Sequence, residues 1–227
     1  MTGVGPDDWG RRMTRVWAAV PVKPFAGAKQ RTASLLSASQ RAVLAATMLE
    51  DVLVALAGAT GLAGILVNTI DPAAARLAGR YGARVVSEGA LDGHTGAVNG
   101  MARMLRAEGN DALLTLPGDI PRVTAAEVDA VVASRAWGPG LTIVPAHDEL
   151  GSNAVLCDPP FAVPLRFGDD SYFPHLMVAR AHGIEPVVLR LPGIGLDIDH
   201  PADLRAFIAA RPRKPTWTLA LLEGFGL

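Results

Sequence analysis

The chain has 227 residues, half of them hydrophobic, with 21 basic against 22 acidic side chains and a net charge of −1. That length accommodates one large domain or two small ones with a substantial core. The even charge balance gives no basic surplus for nucleic acid and no acidic surplus for disorder, and no run reaches the roughly 18 apolar residues of a membrane span.

Residues 1–14 are rich in glycine and charge and are expected to form a loose extension. Arg11, Arg12 and Arg15 precede a short apolar run that soon meets Pro21 and Lys23, so residues 16–22 are predicted as a strand, not a targeting segment. Ser37-Ala38-Ser39-Gln40 has the spacing of a capping box, a hydroxyl with Gln three residues on, and starts a helix to about residue 57. A strand over 62–68 follows, then Asp71-Pro72, a cap with proline in the first turn, opens a helix to about residue 81. A short strand is expected at 83–87, and a glycine-containing loop over 88–96 leads into a helix ending near residue 108. Residues 112–116 read as a buried strand. Thr124-Ala125-Ala126-Glu127 is a second capping box, for a helix to about residue 134. Strands at 141–146, 151–157 (after a short loop) and 185–191 are interleaved with helices at 171–182 and 201–210. The tail, 212–227, carries an apolar segment at 217–222 that can pack on the domain or on a partner. Strands alternating with helices predict one α/β domain over 15–211, Rossmann-like, with a mostly parallel central sheet and helices on both faces.

Chemistry concentrates at the strand ends. In Leu116-Pro117-Gly118-Asp119 a strand runs into a sharp turn, and Asp119 is presented at its carboxyl end, where open α/β sheets bind ligands. A carboxylate there suits a divalent cation held against phosphate, although the same acid could cap a turn. Leu196-Asp197-Ile198-Asp199 offers two more acids at alternate positions, on one face if the segment is a strand. Asp199 could instead cap the helix starting at Pro201. Asp197 sits in an apolar run, and a buried acid needs a partner or a metal. Lys23, Lys29 and Arg31 lie in the loop after the first strand, where they can neutralise phosphate or simply meet solvent. His94, within Gly93-His94-Thr95-Gly96, could be a ligand, a base or an ordinary loop residue. Ser152 and Asn153 could hold an anionic substrate, and Ser171 stands at a helix start that can be capped or can receive an anion. Cys157 is alone, reads as a buried structural thiol and fits a reducing, cytoplasmic setting. The histidines lack zinc spacing.

Pro21-Val22-Lys23-Pro24, Lys29 to Arg31, Leu116 to Pro121, Gly151-Ser152-Asn153-Ala154, Phe167-Gly168, Ser171 and Leu196 to Leu204 occur in that order. In this the chain resembles the CofC/FbiD family of guanylyltransferases in deazaflavin coenzyme F-420 biosynthesis, over about residues 16–210. The resemblance implies a GT-A-like nucleotidyltransferase fold. It implies transfer of GMP from GTP to 2-phospho-L-lactate, phosphoenolpyruvate or 3-phospho-D-glycerate, with release of pyrophosphate. On the matching positions, Asp119, Asp197 and Asp199 would hold Mg²⁺. Ser152, Gly168 and Ser171 would hold the phospho-acid, and Lys23 and Lys29 would lie over the triphosphate, with Lys23, Lys29 and Asp119 forming the catalytic set. Nucleotide contacts are also expected at Gly93 and Thr95. There the family's usual Gly-Leu-Asn-Ala turn is Gly93-His94-Thr95-Gly96, and the alternative is a related enzyme with another acceptor, such as molybdopterin or a sugar phosphate. The expected partners are GTP and a small phospho-acid, with no nucleic acid and no membrane. A homodimer and hand-off to the next enzyme of the pathway are left open.

Overall fold

The computed structural model describes residues 15–135, 138–168, 170–210 and 215–227. The expected extension at 1–14, and residues 211–214, where the domain meets the start of the tail, lie outside the described residues. Seven strands form one mixed sheet: β1 (Val16–Pro21), β2 (Gly64–Asn68), β3 (Arg84–Val86), β4 (Ala112–Thr115), β5 (Gly140–Pro145), β6 (Ser152–Asp158) and β7 (Val187–Val188). Their spatial order is β3-β2-β1-β4-β6-β5-β7. All pairings are parallel except those of β6, which runs antiparallel to both β4 and β5.

Helices cover both faces, so the central strands are apolar on both sides, as buried parallel strands must be. Along β1 the side chains alternate. Val16, Ala18 and Val20 join the core under α1 (Ala38–Gly58), α2 (Pro72–Arg80) and α4 (Ala125–Ala133). Trp17 and Ala19 face the core under α3 (Gly93–Ala107) and α5 (Tyr172–Ala181). A third cluster joins α1 to α6 (Pro201–Ala209) and α7 (Trp217–Gly224) through Leu44, Met48, Leu204, Phe207 and Leu222.

Local signals set the helix starts. Ser37 and Gln40 exchange the reciprocal bonds of a capping box, as do Thr124 and Glu127. Asp71 caps α2 through the amides of Ala73 and Ala74. Its other oxygen accepts from the Phe25 amide at 2.7 Å, which ties down the loop after β1.

Three expectations change, and one alternative is settled. Gly93–Gly96 is not loop but the first turn of α3, which Gly93 enters at φ 74°, a conformation that costs glycine nothing. The segment 195–199 is not a strand of the sheet. It is held by single bonds to separate loops: Ile198 N–H to the Asp119 carbonyl, and His147 N–H to the Gly195 carbonyl. The strand expected over 185–191 shrinks to two residues, paired with β5 alone. The tail packs on α1, where Asp51 accepts from the amides of Trp217 and Thr218 at 2.9 Å each and so caps α7 from another helix.

The topology explains where polar side chains gather. β2 and β4 flank β1, so the order reverses there and opens a crevice at the carboxyl ends of the strands. β6 runs the other way, so its amino end, Ser152 and Asn153, arrives at the same edge.

Candidate active site

At that edge lies a cleft of about 730 Å³, lined among others by Lys23, Lys29, His94, Asp119, Ser152 and Asp197. Lys29 sits between two acids. Its Nζ lies 2.5 Å from Asp119 Oδ2 and 2.7 Å from Asp199 Oδ1, and its side chain is only 9% exposed. The backbone of Lys29 is left-handed (φ 51°, ψ 41°), unusual for a residue with a side chain, and a 3₁₀ turn over Gln30–Thr32 follows. Thr32 donates its hydroxyl to the Lys29 carbonyl at 2.8 Å, which helps fix the turn. Burial alone would lower the lysine's pKa, but the charges of Asp119 and Asp199 outweigh it and hold it above the ordinary value.

Asp119 enters the cleft from the turn after β4. Gly118 lets that turn pass close to α1, since a Cβ there would come within 3.2 Å of the Leu49 side chain, tight enough that the leucine would have to shift. Asp199 does not cap α6. That role falls to Asp203, whose Oδ2 accepts from the amides of Asp199 and His200, leaving the Asp199 carboxylate to Lys29. Burial would raise the Asp199 pKa, but the Lys29 charge and hydrogen bond, with help from Arg31 and His200, hold it below the usual range. Asp197 goes the other way: burial pushes its pKa up and the charges of Asp119 and Asp199 add to this, while a hydrogen bond from Asn153 opposes them.

Asn153 lines the cleft, and its side-chain amide is engaged within the protein. Its amide donates to the Ile194 carbonyl and to Asp197 Oδ1, both at 3.0 Å, so it positions the acid. Ser152 and Ser171 meet across the cleft floor. Ser152 N–H donates to Ser171 Oγ at 3.1 Å, and the hydroxyls lie 3.2 Å apart. Ser171 stands at the start of α5 but makes no side-chain cap. Gly168 lines the same end of the cleft.

Gly93 and His94 also line the cleft, at the first turn of α3. Thr95 is engaged elsewhere: its Oγ1 accepts from the Phe167 amide at 3.0 Å and faces the Phe167 carbonyl at 3.3 Å. It thus ties the start of α3 to the Phe167–Gly168 loop. His94 stacks on Phe167, ring centroids 4.5 Å apart, and Phe167 meets His175 at 5.1 Å. Burial, with Lys23 adding to it, pushes the His94 pKa down to about 4 despite Asp119, so the ring is neutral at physiological pH. Lys23 is exposed and lines the cleft.

The three acids do not close on one metal position; among the described residues no group of three His, Cys, Asp or Glu does so. The Lys29 ammonium bridges two of them instead. The donor chemistry still fits a hard cation, since Mg²⁺ is commonly held by one or two carboxylates and completed by phosphate oxygens and water. Sequence reasoning missed His175. Its spacing of four from Ser171, one turn along the same helix face, was the available signal.

A doubly wound sheet with an acid-and-lysine cleft at its switch point is the plan of a nucleotidyltransferase. Solved structures share this fold. A protein from Desulfovibrio desulfuricans G20 assigned as a nucleotide-diphospho-sugar transferase superposes with TM-score 0.76 at 17% identity, covering 93% of this chain and 95% of that one. A 4-diphosphocytidyl-2C-methyl-D-erythritol synthase gives 0.58 at 15% identity, over 85% of this chain and 97% of that one. The sequence is more specific. Residues 16–213 match the family model described as guanylyl transferase, CofC like, and the chain belongs to that family of nucleotide-transferring enzymes. It is 39% identical to a phosphoenolpyruvate guanylyltransferase of Rubrobacter xylanophilus, over 88% of this chain and 98% of that protein. It is 34% identical to a 3-phospho-D-glycerate guanylyltransferase of Colwellia psychrerythraea, over 82% and 87%. Among the described residues no helix is long and apolar enough to cross a membrane.

Proposed function

We propose that this enzyme transfers GMP from GTP to the phosphate of phosphoenolpyruvate in coenzyme F-420 biosynthesis, releasing pyrophosphate. The observation that carries this reading is the joining, in one cleft, of a lysine–carboxylate cluster at one end and a pair of serine hydroxyls at the other. The relatives that favour phosphoenolpyruvate include proteins 39% and 36% identical to this chain. The 3-phospho-D-glycerate enzyme, at 34% identity, makes that acid the second reading.

An oxygen of the acceptor's phosphate attacks the α-phosphorus of GTP. The new P–O bond forms as the bond from the α-phosphorus to the bridging oxygen breaks, and pyrophosphate leaves. A phosphate nucleophile is already ionised at neutral pH, so no general base is required. This accords with His94, whose pKa, lowered by burial to about 4, makes it a weak base. Lys29 and Lys23 supply positive charge toward the triphosphate and the departing pyrophosphate. One or two of the carboxylates Asp119, Asp197 and Asp199 would hold Mg²⁺ together with phosphate oxygens, with Asn153 fixing the orientation of Asp197. When bound, the ion supplies screening between two anions and stabilises charge in the transition state. Ser152, Ser171 and the Gly168 backbone orient the acceptor.

The test is pyrophosphate release with GTP, Mg²⁺ and, in turn, phosphoenolpyruvate, 3-phospho-D-glycerate and 2-phospho-L-lactate, with ATP and CTP as controls. Turnover with GTP and phosphoenolpyruvate is expected. Turnover with another acid only would move the acceptor, and silence across the panel would overturn the reading. Ser152→Ala is expected to raise the acceptor KM about tenfold, the worth of one hydrogen bond to a charged group, while leaving the GTP KM in place.

A further inference from the structure

Behind the two serines lies a third polar residue that nothing in the reaction requires directly. His175 is 2% exposed and closes the first turn of α5, its amide donating to the Ser171 carbonyl. Its Nε2 lies 3.1 Å from the backbone nitrogen of Arg166, and its Nδ1 lies 3.0 Å from Ser152 Oγ. A backbone N–H can only donate, so Nε2 must be the acceptor, and in the neutral ring the proton then sits on Nδ1. Nδ1–H donates to Ser152 Oγ. The Ser171 hydroxyl, whose oxygen already accepts from Ser152 N–H, donates to the same atom. Both lone pairs of the Ser152 oxygen are then occupied, and its own hydrogen has no internal acceptor among the described residues. Ser152 lines the cleft, so that hydrogen is left for a ligand.

We propose that His175 is a positioning residue for the acceptor: it relays the Arg166 backbone dipole to Ser152 and commits that hydroxyl to donate into the cleft, toward an anionic oxygen of the phospho-acid. This deepens the reading of Ser152 and rests on it. Were the ring proton on Nε2 instead, so that Nδ1 accepted, the serine hydrogen would be drawn inward and lone pairs would face the anion. The direction of the chain of donors therefore decides whether this end of the cleft attracts or repels a phosphate or carboxylate. Burial, with the neighbouring His94 adding to it, pushes the His175 pKa down to about 4, which keeps one lone pair available on Nε2 at working pH. The ring is also packed against Phe167, so its plane is fixed by something other than the substrate.

Two variants separate hydrogen bonding from shape. His175→Phe keeps an aromatic ring and removes both polar atoms. His175→Asn shrinks the side chain and retains a donor near the place of Nδ1. His175→Phe is expected to raise the acceptor KM about tenfold, with His175→Asn returning it to within about threefold of wild type. The GTP KM should not move in either variant. The double variant Ser152→Ala with His175→Phe should be no worse than Ser152→Ala, because both act through one hydroxyl. A tolerated phenylalanine, equal shifts in both Michaelis constants, or additive losses in the double variant would each overturn the role of His175. An acceptor KM unmoved by Ser152→Ala would instead overturn the reading of Ser152 on which it rests. If His175→Phe does not fold, imidazole ¹⁵N spectra of the wild-type enzyme decide. A neutral ring protonated on Nδ1 is expected, and protonation on Nε2 would sink the proposal.

Discussion

At Lys29 the chain accepts an unfavourable backbone conformation to place one ammonium between two carboxylates. Non-glycine residues in left-handed conformation commonly cost about 1–3 kcal/mol and persist where their surroundings hold them. Here those surroundings are Asp119 and Asp199. The same ammonium keeps the acids from repelling one another before the nucleotide arrives. Lys29→Met is therefore expected to lower kcat by about 10²-fold or more, the scale for removing one preorganised charge-stabilising donor. Asp119→Asn should abolish turnover while far-ultraviolet circular dichroism stays unchanged. His175 gives a prediction in pH. Its pKa falls from 6.5 unfolded to about 4 folded, so between those values the unfolded chain binds more protons than the folded one. Stability then rises with pH across that window and is lost as pH falls through it, by on the order of 3 kcal/mol in full. Urea midpoints at pH 7 and pH 4.5 should differ more for wild type than for His175→Phe, and equal differences would contradict the assignment.

At the scale of elements, the first turn of α3 and the segment 195–199 show how the same residues serve when their secondary structure is not the expected one. Thr95 reaches the Phe167 backbone because the helix has already begun at Gly93; Thr95 is then on its first turn, facing the 167–168 loop. Asp197 and Asp199 reach the cleft without a strand, because Ile198 between them is docked on the Asp119 carbonyl and is fully buried. The terminal helix has its own lock. Asp51, 8% exposed on α1, accepts from two α7 amides, and burial raises its pKa more than those bonds lower it. Asp51→Ala should cost about 1–2 kcal/mol, the value of a helix cap. It should also speed hydrogen exchange at the Trp217 and Thr218 amides selectively. Unchanged exchange there would show that the Thr216 cap and the apolar contacts of Leu222 hold the helix without Asp51.

Across the whole molecule, the cleft is assembled from parts far apart in sequence: the loop after β1, the turn after β4, the amino end of β6 and the segment before α6. A ligand spanning it bonds to all of these at once and binds only the folded chain. GTP with Mg²⁺ at about 100 times its dissociation constant is therefore expected to add about 2.7 kcal/mol of stability. For a domain of this size that raises the melting temperature by roughly 5–11 °C. EDTA should remove most of the shift if the acids bind the nucleotide through the cation, and a shift indifferent to EDTA would assign GTP binding to the lysines alone.

Much of this was legible in the chain itself. The capping boxes at Ser37 and Thr124 and the Asp71-Pro72 start are local chemistry, and a helix start depends on few neighbours. The strand–helix alternation and the Pro-Gly-Asp turn likewise needed nothing distant, so the fold class and Asp119 could be read in advance. Tertiary structure decided the rest, because each remaining role depends on a partner many residues away. Asn153 faces Asp197, 44 positions on, and so orients an acid, a role its sequence neighbours do not announce. Lys29 reaches Asp199 across 170 positions. His175 acquires meaning only when the antiparallel course of β6 brings Ser152 onto α5. Sequence by itself determined which groups are present and which end of each strand carries them. Only the packed sheet determined their pairing, since a hydrogen bond or ion pair is settled by ångström distances that local propensity does not encode.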